Sequence, residues 1–268
     1  MNLRRHAAMF GFLALTCLTP GGIASAQSVA GPPNGPSLPA AVRTRESTAL
    51  LGRSDLVFGL VSAAAVVVTS HNDVWLRSEA IESDTRLDRN LASTFQPLGN
   101  PVFVVPALLA GYGLARALDA PQVAADFTEV GLSVLAAGGG ALALKEVVGR
   151  ARPKDSPHDH LSFDAFSGQT SFPSGHAAIA FALAESVNLT SGSRLAPWRT
   201  YPAAAMVAWS RVRDDHHWTS DVVAGAALGV WTARKVHRLC PAERHTLSHF
   251  ELAPGTPGGA PGLFVTLR

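Results

Sequence analysis

Residues 123–148, VAADFTEVGLSVLAAGGGALALKEVV, form a long apolar stretch that is rich in alanine. Strands usually run roughly four to eight residues and carry more β-branched and aromatic side chains, so this length and composition favour a helix. Residues 138–140, three glycines in its middle, indicate close packing of a neighbouring helix. Five further apolar segments have the same character: residues 56–69, 102–118, 175–189, 197–212 and 218–236. The sequence therefore predicts an all-α fold, a single bundle of about six core helices with no internal repeat and no strand–turn pattern.

The regions on either side of these helices differ in composition. Residues 28–40 and 253–262 are rich in proline and glycine, which predicts flexible segments rather than packed elements. We expect a flexible leader over residues 27–53, one folded domain over residues 54–240 and a Pro/Gly-rich tail over residues 241–268.

The first residues have the pattern of a targeting segment. Arg4 and Arg5 precede an apolar run over residues 7–18, and the small residues 24–26, ASA, follow it. This order predicts a secretory signal peptide over residues 1–26 that is removed after Ala26. An uncleaved membrane anchor is the alternative, but the run of about 12 apolar residues is shorter than the roughly 20 that a span needs.

Charge and cysteine content limit the partners and the covalent chemistry. The chain has 22 Lys and Arg against 20 Asp and Glu, a net charge of +2, and loss of Arg4 and Arg5 with the signal peptide would bring this to zero. No polybasic field is present to attract nucleic acid, so a nucleic-acid partner is not expected. Cys17 would leave with the signal peptide, and Cys240 would then have no partner for an internal disulfide.

The apolar segments are short for a membrane protein. None of them reaches about 18 residues without a charge, and Arg116 and Glu185 each interrupt one. If the signal peptide were cleaved and all six helices spanned, the end of the third and the start of the fourth would face the cytoplasm, and polar clusters lie there. We therefore predict an exported protein of the periplasm or cell envelope, soluble or associated with the membrane surface rather than polytopic in the inner membrane.

The first polar cluster, residues 145–153, is KEVVGRARP. Residues seven apart return to the same face of a helix, so Lys145 and Arg152 can point into one pocket, and two cations on one face suit an oxyanion. Pro153 disfavours helical backbone at Arg152 and would hold its guanidinium at the chain exit. The alternative is an ordinary pair of cations near a helix C-terminus, which the helix dipole favours in any case.

The second polar cluster, residues 171–178, is SFPSGHAA. Ser174 can cap the following helix, and the free N–H groups of the first turn, left open by Gly175, form a ready anion site. His176 at that opening has access to whatever the site binds. The alternative is an ordinary Pro-Ser-Gly helix start with an exposed histidine.

The third polar cluster, residues 210–221, is SRVRDDHHWTSD. His217 and Asp221 are four apart, so on a helix the carboxylate can accept the proton of one ring nitrogen and leave the other as a lone pair. This arrangement would make His217 an activated nucleophile. One alternative is a zinc site of His216, His217 and Asp221, although adjacent histidines point to different helical faces and no Cys or HExxH companion is present. A plain surface pair is the other.

Together the three clusters resemble the signature of the type 2 phosphatidic acid phosphatases (PAP2), a superfamily that includes bacterial nonspecific acid phosphatases and vanadium haloperoxidases. That signature is Lys, six residues, Arg-Pro; then Pro-Ser-Gly-His; then Ser-Arg, five residues, His, three residues, Asp. Residues 145–153, 173–176 and 210–221 match it in order and without a gap. The resemblance covers about residues 54–237.

The resemblance also implies a role for each matching residue. His217 would attack phosphorus and form a phosphohistidine, while Asp221 fixes its tautomer and stabilises the imidazolium. His176 would protonate the departing oxygen and then accept a proton from the hydrolytic water. Five residues would hold the phosphoryl oxygens: Lys145, Arg152, Ser174, Gly175 and Arg211. The resemblance implies no metal and no other cofactor.

The expected activity is therefore metal-independent hydrolysis of phosphate monoesters or lipid (di)phosphates, with a phosphorylated small molecule or lipid as the partner. A vanadium haloperoxidase is one alternative, although its Lys and Arg-Pro are typically further apart than here. An exported helical protein that binds phosphate without turnover is another, and the presence of both histidines and the aspartate argues against it. The clusters do not separate lipid phosphates, isoprenoid diphosphates and small soluble esters, because all present the same terminal phosphoryl group.

Overall fold

A computed structural model describes residues 52–82, 85–240, 251–255 and 262–266 of the chain. The helices in order are α1 (Arg53–Ser70), α2 (Asp73–Glu82), α3 (Arg86–Phe95), a 3-10 turn (Gln96–Gly99), α4 (Pro101–Ala117), α5 (Pro121–Val148), α6 (Gly175–Ser191), α7 (Pro197–Arg213) and α8 (Thr219–Leu239). The predicted all-α class is confirmed, and the six predicted segments correspond to α1 and α4–α8. The predicted signal peptide and nearly all of the leader lie outside the described residues.

Helices α2 and α3 were not predicted, because they are short and polar and the prediction followed apolar runs. A capping signal for α3 is nevertheless present in the sequence. Thr85 Oγ1 accepts a hydrogen bond from the backbone N–H of Asp88 at 3.1 Å, and the Asp88 carboxylate accepts one from the backbone N–H of Thr85 at 3.2 Å. These reciprocal bonds form a capping box, which satisfies donors that a helix start otherwise leaves open.

Two short strands in the tail are a second difference from the prediction. Strands β1 (Glu251–Gly255) and β2 (Gly262–Thr266) pair antiparallel. Both strands lie outside residues 54–240, the domain for which no strand–turn pattern was expected. Phe264 and Val265 in β2 are of the types that favour strands, and they pair with Ala253 and Leu252 respectively.

Helix α6 forms the centre of the bundle and packs against α5, α7 and α8. Most apolar side chains in its first ten residues are buried, among them Phe181. Helix α8 approaches α6 very closely, because a Cβ at Gly225 would collide with the backbone carbonyl oxygen of Ser174. This close crossing brings the beginnings of α6 and α8 together.

Helix α5 ends at Gly149, whose φ of 57° lies in the left-handed region that glycine adopts without strain. The Gly149 N–H donates to the Lys145 carbonyl oxygen at 2.9 Å. The chain then leaves the helix axis, and the Ala151 N–H donates to the Ser162 carbonyl oxygen at 3.0 Å. Residues 149–174 consequently fold over the end of the bundle at which α5 stops and α6 starts.

Two of the helices could cross a membrane. Within the described part of the chain, α1 and α5 are long and apolar enough for this, and α3 with α4, a pair bent by 56°, would make a third span if the two act as one. Large apolar side chains point outward from these helices, such as Leu56, Leu109 and Leu142, which are each about two-thirds exposed. Such faces match a lipid environment better than water.

The prediction of an exported protein, soluble or on the membrane surface, is therefore wrong. It treated each charge as the end of a possible span. In the structure Glu129 and Lys145 of α5 are buried, and Glu129 contacts His237 of α8 at 2.5 Å. A charge that is paired inside the bundle does not face lipid, so it does not prevent a helix from spanning.

We expect the expressed full chain to stay in the membrane pellet after alkaline carbonate extraction and to enter solution only with detergent. The physical reason is the exposed apolar surface of α1 and α5, which water would solvate poorly. A peripheral membrane protein extracted in parallel serves as the control and should be released. Recovery of this chain in the carbonate supernatant would contradict the assignment of spanning helices.

Candidate active site

The three polar clusters meet at one end of the bundle. They lie at the end of α5, the start of α6, and the turn between α7 and α8. Five of the candidate side chains in them are buried: Lys145, Ser174, Arg211, His217 and Asp221. Burial of so many ionisable groups in one place is costly unless they are paired or bind a ligand.

His217 lies close to Asp221, although not in the way that the four-residue spacing predicted. Helix α8 begins at Thr219, so His217 precedes the helix rather than stacking on its face. The distance from His217 Nδ1 to Asp221 Oδ2 is 3.7 Å, which is too long for a hydrogen bond. The Nδ1 atom has no hydrogen-bond partner among the described residues.

Asp221 is fixed by donors on both of its oxygens. It accepts hydrogen bonds from Arg150 Nη1 at 2.6 Å, from Ser171 Oγ at 2.5 Å and from the backbone N–H of Trp218 at 2.9 Å. Burial alone would raise the pKa of Asp221, but His217, Arg150 and Ser171 together hold it below its usual value. Asp221 is therefore a carboxylate beside the imidazole.

Burial lowers the pKa of His217, and the neighbouring Asp221 offsets this only in part. The imidazole is consequently neutral at neutral pH. A neutral ring with one nitrogen facing a carboxylate keeps a lone pair on the other nitrogen, which is the form that a nucleophile requires.

His176 is the second residue of α6, and its Nε2 atom is buried without a hydrogen-bond partner among the described residues. Burial, followed by the charge of Arg211, lowers the pKa of His176 to about 4. In the free protein His176 is therefore neutral above that pH. A phosphate anion bound near these cations would oppose both effects and raise the pKa.

Because the pKa of His176 is lowered, folding stability should depend on pH. The unfolded chain binds a proton at His176 below about pH 6.5 and the folded chain only below about pH 4. The unfolded state thus binds more protons in this window, so stability falls as the pH falls through it, by at most about 3 kcal/mol from this group. Thermal unfolding in detergent should show a shallower loss for His176→Gln, and equal slopes would contradict the lowered pKa.

Lys145 and Arg152 both contact Thr170. Lys145 Nζ donates to the Thr170 carbonyl oxygen, and Arg152 Nη2 donates to Thr170 Oγ1 at 2.9 Å. The two cations do converge, but Arg152 lies beyond the end of α5 and not on the helical face that the spacing predicted. The loop residue Thr170, which sequence reasoning missed, holds them together.

Arg211, in the last turn of α7, forms an ion pair with Asp214. Its Nη2 atom donates to Asp214 Oδ2 at 2.5 Å. With Lys145 and Arg152 it makes up a group that we call the cation cluster. An anion bound there would meet three positive charges, one of which is already paired.

The start of α6 completes the site. Ser174 Oγ accepts a hydrogen bond from the Ala177 N–H at 3.4 Å, so it caps the helix. The Ser174 N–H donates to the Asp221 carbonyl oxygen at 2.9 Å, which joins the starts of α6 and α8. The atom nearest to a Cβ built on Gly175 would be Lys145 Cε at 4.0 Å, so the first turn is open toward the cation cluster. Free N–H groups at such an end attract anions.

No three His, Cys, Asp or Glu side chains within residues 52–82 and 85–240 form a group that could hold a metal ion. In the zinc alternative, His216 would have to join His217 and Asp221. Instead His216 Nδ1 contacts the carbonyl oxygen of Asp214 at 2.8 Å.

Sequence reasoning also missed Arg150 and Ser171, which both bind Asp221. Arg150 lies in the first polar cluster and Ser171 in the second. Their position beside the motif residues was the only feature of the sequence that could have pointed to them. Asp73, which binds Arg150 from α2 at 2.9 Å, lies in no motif and gave no signal.

Comparison with known proteins agrees with this geometry. Residues 126–244 match the family model of the PAP2 superfamily. The predicted resemblance to the PAP2 superfamily is confirmed over this region. The match covers α5 from its sixth residue to the end of α8, which includes all three polar clusters.

Curated relatives share parts of this PAP2 region. The chain is 46% identical over 63 residues to a lipid A 1-phosphatase of Porphyromonas gingivalis, over 22% of this chain and 14% of that protein. It is 40% identical over 96 residues to a lipid A 1-phosphatase of Rhizobium johnstonii, over 33% of this chain and 37% of that protein. The chain thus spans well under half the length of these relatives.

A solved structure shares the PAP2 fold. It is the crystal structure of a transmembrane PAP2-type phosphatidylglycerolphosphate phosphatase from Bacillus subtilis, with a TM-score of 0.50, 22% identity, and coverage of 71% of this chain and 96% of that chain. At this identity the likeness shows that the two chains share a fold.

Proposed function

We propose that this PAP2 chain is a phosphatase that removes the terminal phosphoryl group of a phosphorylated lipid through a phosphohistidine on His217, with no metal ion required. The observation that carries the proposal is the arrangement around His217. A buried neutral imidazole lies 3.7 Å from a fixed carboxylate, at the same bundle end as the cation cluster and His176. That combination supplies a nucleophile, a proton donor and charge stabilisation in one site.

In the first chemical step the lone pair of His217 Nε2 forms a bond to phosphorus, and the bond from phosphorus to the leaving oxygen breaks. The ring becomes an imidazolium, whose positive charge the Asp221 carboxylate stabilises. His176, protonated once the anion is bound, gives its proton to the leaving oxygen. The cation cluster and the start of α6 stabilise the charge on the phosphoryl oxygens during transfer.

In the second step water attacks phosphorus and the P–N bond breaks. His176, now neutral, accepts the proton of that water, and His217 returns to its starting state. Phosphate then leaves the cation cluster. The same histidine thus acts as an acid in one step and as a base in the other.

Three observations support a lipid with a polar head group as the substrate. The site belongs to a bundle with candidate membrane spans, and the curated relatives are named as lipid A 1-phosphatases. Beside the cation cluster lies a cavity of about 620 Å³. Polar residues make up most of its lining: Arg152, Lys154, Asp155, Ser156, Ser162, Gln169 and Thr170. Such a lining suits a hydroxylated head group next to the phosphate better than an acyl chain.

The test is phosphate release by the purified full chain in detergent, with EDTA present. We expect turnover of a chromogenic phosphate monoester, inhibition by vanadate, and faster turnover of a lipid A 1-phosphate than of phosphatidic acid or an isoprenyl diphosphate. Vanadate inhibits because it takes the five-coordinate geometry of the transferring phosphorus.

The His217→Ala protein, prepared in the same way, measures contaminating phosphatase. Loss of activity with EDTA that zinc restores would overturn the metal-independent reaction. Phosphate binding with no release of product from any substrate would show a non-catalytic protein instead. Equal rates with all three lipids would contradict the preference for a polar head group.

A further inference from the structure

Asp73 is a fully buried carboxylate outside the three polar clusters. It is the first residue of α2. Its Oδ1 atom accepts a hydrogen bond from the Ser220 N–H at 2.9 Å, and its Oδ2 atom accepts from Ser220 Oγ at 2.5 Å and from Arg150 Nη2 at 2.9 Å. Burial raises the pKa of Asp73, but every contact is with a donor, which is what an ionised carboxylate requires.

Arg150 joins Asp73 to Asp221. Its Nη1 atom donates to Asp221 Oδ1 at 2.6 Å and to Ser220 Oγ at 2.7 Å. Its Nε atom donates to the His160 carbonyl oxygen at 3.0 Å. The Arg150 side chain is 2% exposed, and a charge buried this deeply persists only when its donors are satisfied. These hydrogen bonds join five residues into one buried network: Asp73, Arg150, His160, Ser220 and Asp221.

The charges of the network explain why it has two carboxylates. One carboxylate paired with Arg150 would be formally neutral and would give an imidazolium nothing to pair with. With Asp73 as the second carboxylate, the three groups carry one net negative charge. That charge is available to the imidazolium which forms at His217 when phosphorus is attacked.

From these contacts we infer that Asp73 and Arg150 are positioning residues for the proposed phosphatase reaction, because they hold Asp221 Oδ2 toward His217 and leave it its negative charge. This inference rests on the proposed function. Neither residue touches the phosphoryl group in this arrangement, so both act through Asp221.

A second contact of α2 supports this placement. Arg77 Nε donates to Asp215 Oδ1 at 2.6 Å, and Arg77 Nη2 donates to Asp215 Oδ2 at 2.7 Å. Asp215 lies in the turn just before His217 and has a φ of 59°. Helix α2 therefore contacts the third polar cluster on both sides of the nucleophile.

The test compares two inhibitors of the full-length Asp73→Asn protein. Vanadate in its five-coordinate form bonds to His217 Nε2, so its affinity depends on Asp221. Phosphate binds as a tetrahedral anion and depends on the cation cluster. We expect kcat to fall and the vanadate inhibition constant to rise by about 10- to 100-fold. The phosphate inhibition constant and KM should stay within about twofold of wild type.

A double-mutant cycle separates positioning from general stability. If Asp73 acts through Asp221, then adding Asp73→Asn to Asp221→Asn should lower kcat no further. Asp88→Asn is the matched control, since Asp88 is also a buried carboxylate near a helix start. It should lower thermal stability and leave kcat and the ratio of the two inhibition constants unchanged.

Arg150→Lys is the second variant, and it keeps the charge but cannot span two carboxylates. Like Asp73→Asn, it should lower kcat and raise the vanadate inhibition constant while leaving the phosphate inhibition constant unchanged. If the Asp73→Asn protein does not fold, Arg150→Lys alone tests the inference. Wild-type kcat in a folded Asp73→Asn protein, equal changes in both inhibition constants, or additive losses in the cycle would each overturn the inference. Absence of turnover in the wild-type protein would instead be a failure of the proposed function.

Discussion

His217→Ala is expected to lower kcat for every phosphate substrate by at least about 10⁴-fold, which is the size of effect seen when an enzyme loses its nucleophile. Without the imidazole, no covalent intermediate forms, and water would have to attack phosphorus directly. The cation cluster stays intact in this variant, so phosphate should still bind with an affinity close to that of the wild type. The measurement is single-turnover phosphate release with purified protein, alongside phosphate binding. A rate near that of the wild type would show that His217 is not the nucleophile.

Two further variants test whether the loss of activity is specific to His217. Asp221→Asn should keep a slow residual rate, because the nucleophile remains while its tautomer and its imidazolium are no longer stabilised. His216→Ala is the matched control: this neighbouring histidine contacts the Asp214 carbonyl oxygen at 2.8 Å and has no part in the proposed steps. Its kcat should be close to that of the wild type. A loss in His216→Ala as large as in His217→Ala would instead favour the zinc site of His216, His217 and Asp221.

The second large effect is expected for His176→Ala, and its size should depend on the leaving group. An alkyl phosphate needs a proton on its departing oxygen, so we expect a loss of about 10²- to 10⁴-fold. Nitrophenolate leaves without that proton, so the first step should be nearly unimpaired with nitrophenyl phosphate. Hydrolysis of the phosphohistidine would still be slow, because the general base is missing.

Rapid-mixing kinetics test this prediction. With nitrophenyl phosphate, His176→Ala should release one equivalent of nitrophenol per site in a burst and then turn over slowly, while radiolabelled phosphate stays on the protein. His217→Ala, with no nucleophile, should show neither burst nor label. Equal losses for both leaving groups and no burst would show that His176 is not the acid and base of this reaction.

The six apolar helices could be predicted from the sequence because length and composition alone separate apolar helices from strands. The polar helix α2 could not, since it is held by contacts such as Asp73 with Ser220, 147 residues away. Helix α3 was missed although its capping box is visible in the sequence, because the prediction followed apolar runs. The predicted location failed for a related reason. A charge such as Glu129 looks unfavourable for a membrane span until its partner His237 is known, and that partner is 108 residues away.

The site was predictable where a residue belongs to a short motif. The sequence identified Lys145, Arg152, His176 and His217, and the structure places them at one end of the bundle. The positions inferred from helical spacing were less reliable, because Arg152 and His217 both lie outside the helices on which their spacing had placed them. The partners of Asp221 were missed, since the spacing of a motif says nothing about which buried donors surround it.

The contacts of α2 limit where this chain can be cut to give a shorter fragment. The family match starts at residue 126, which suggests a self-contained unit that could be cut there for expression or fused to another protein. A fragment with that boundary would lose Asp73 and leave the guanidinium of Arg150 with one carboxylate instead of two. Removing one partner of a buried ion pair typically costs about 3–5 kcal/mol, a large share of the total stability of a domain. The smallest fragment that keeps this buried network intact therefore begins no later than residue 73, more than 50 residues before the first residue that the family model matches.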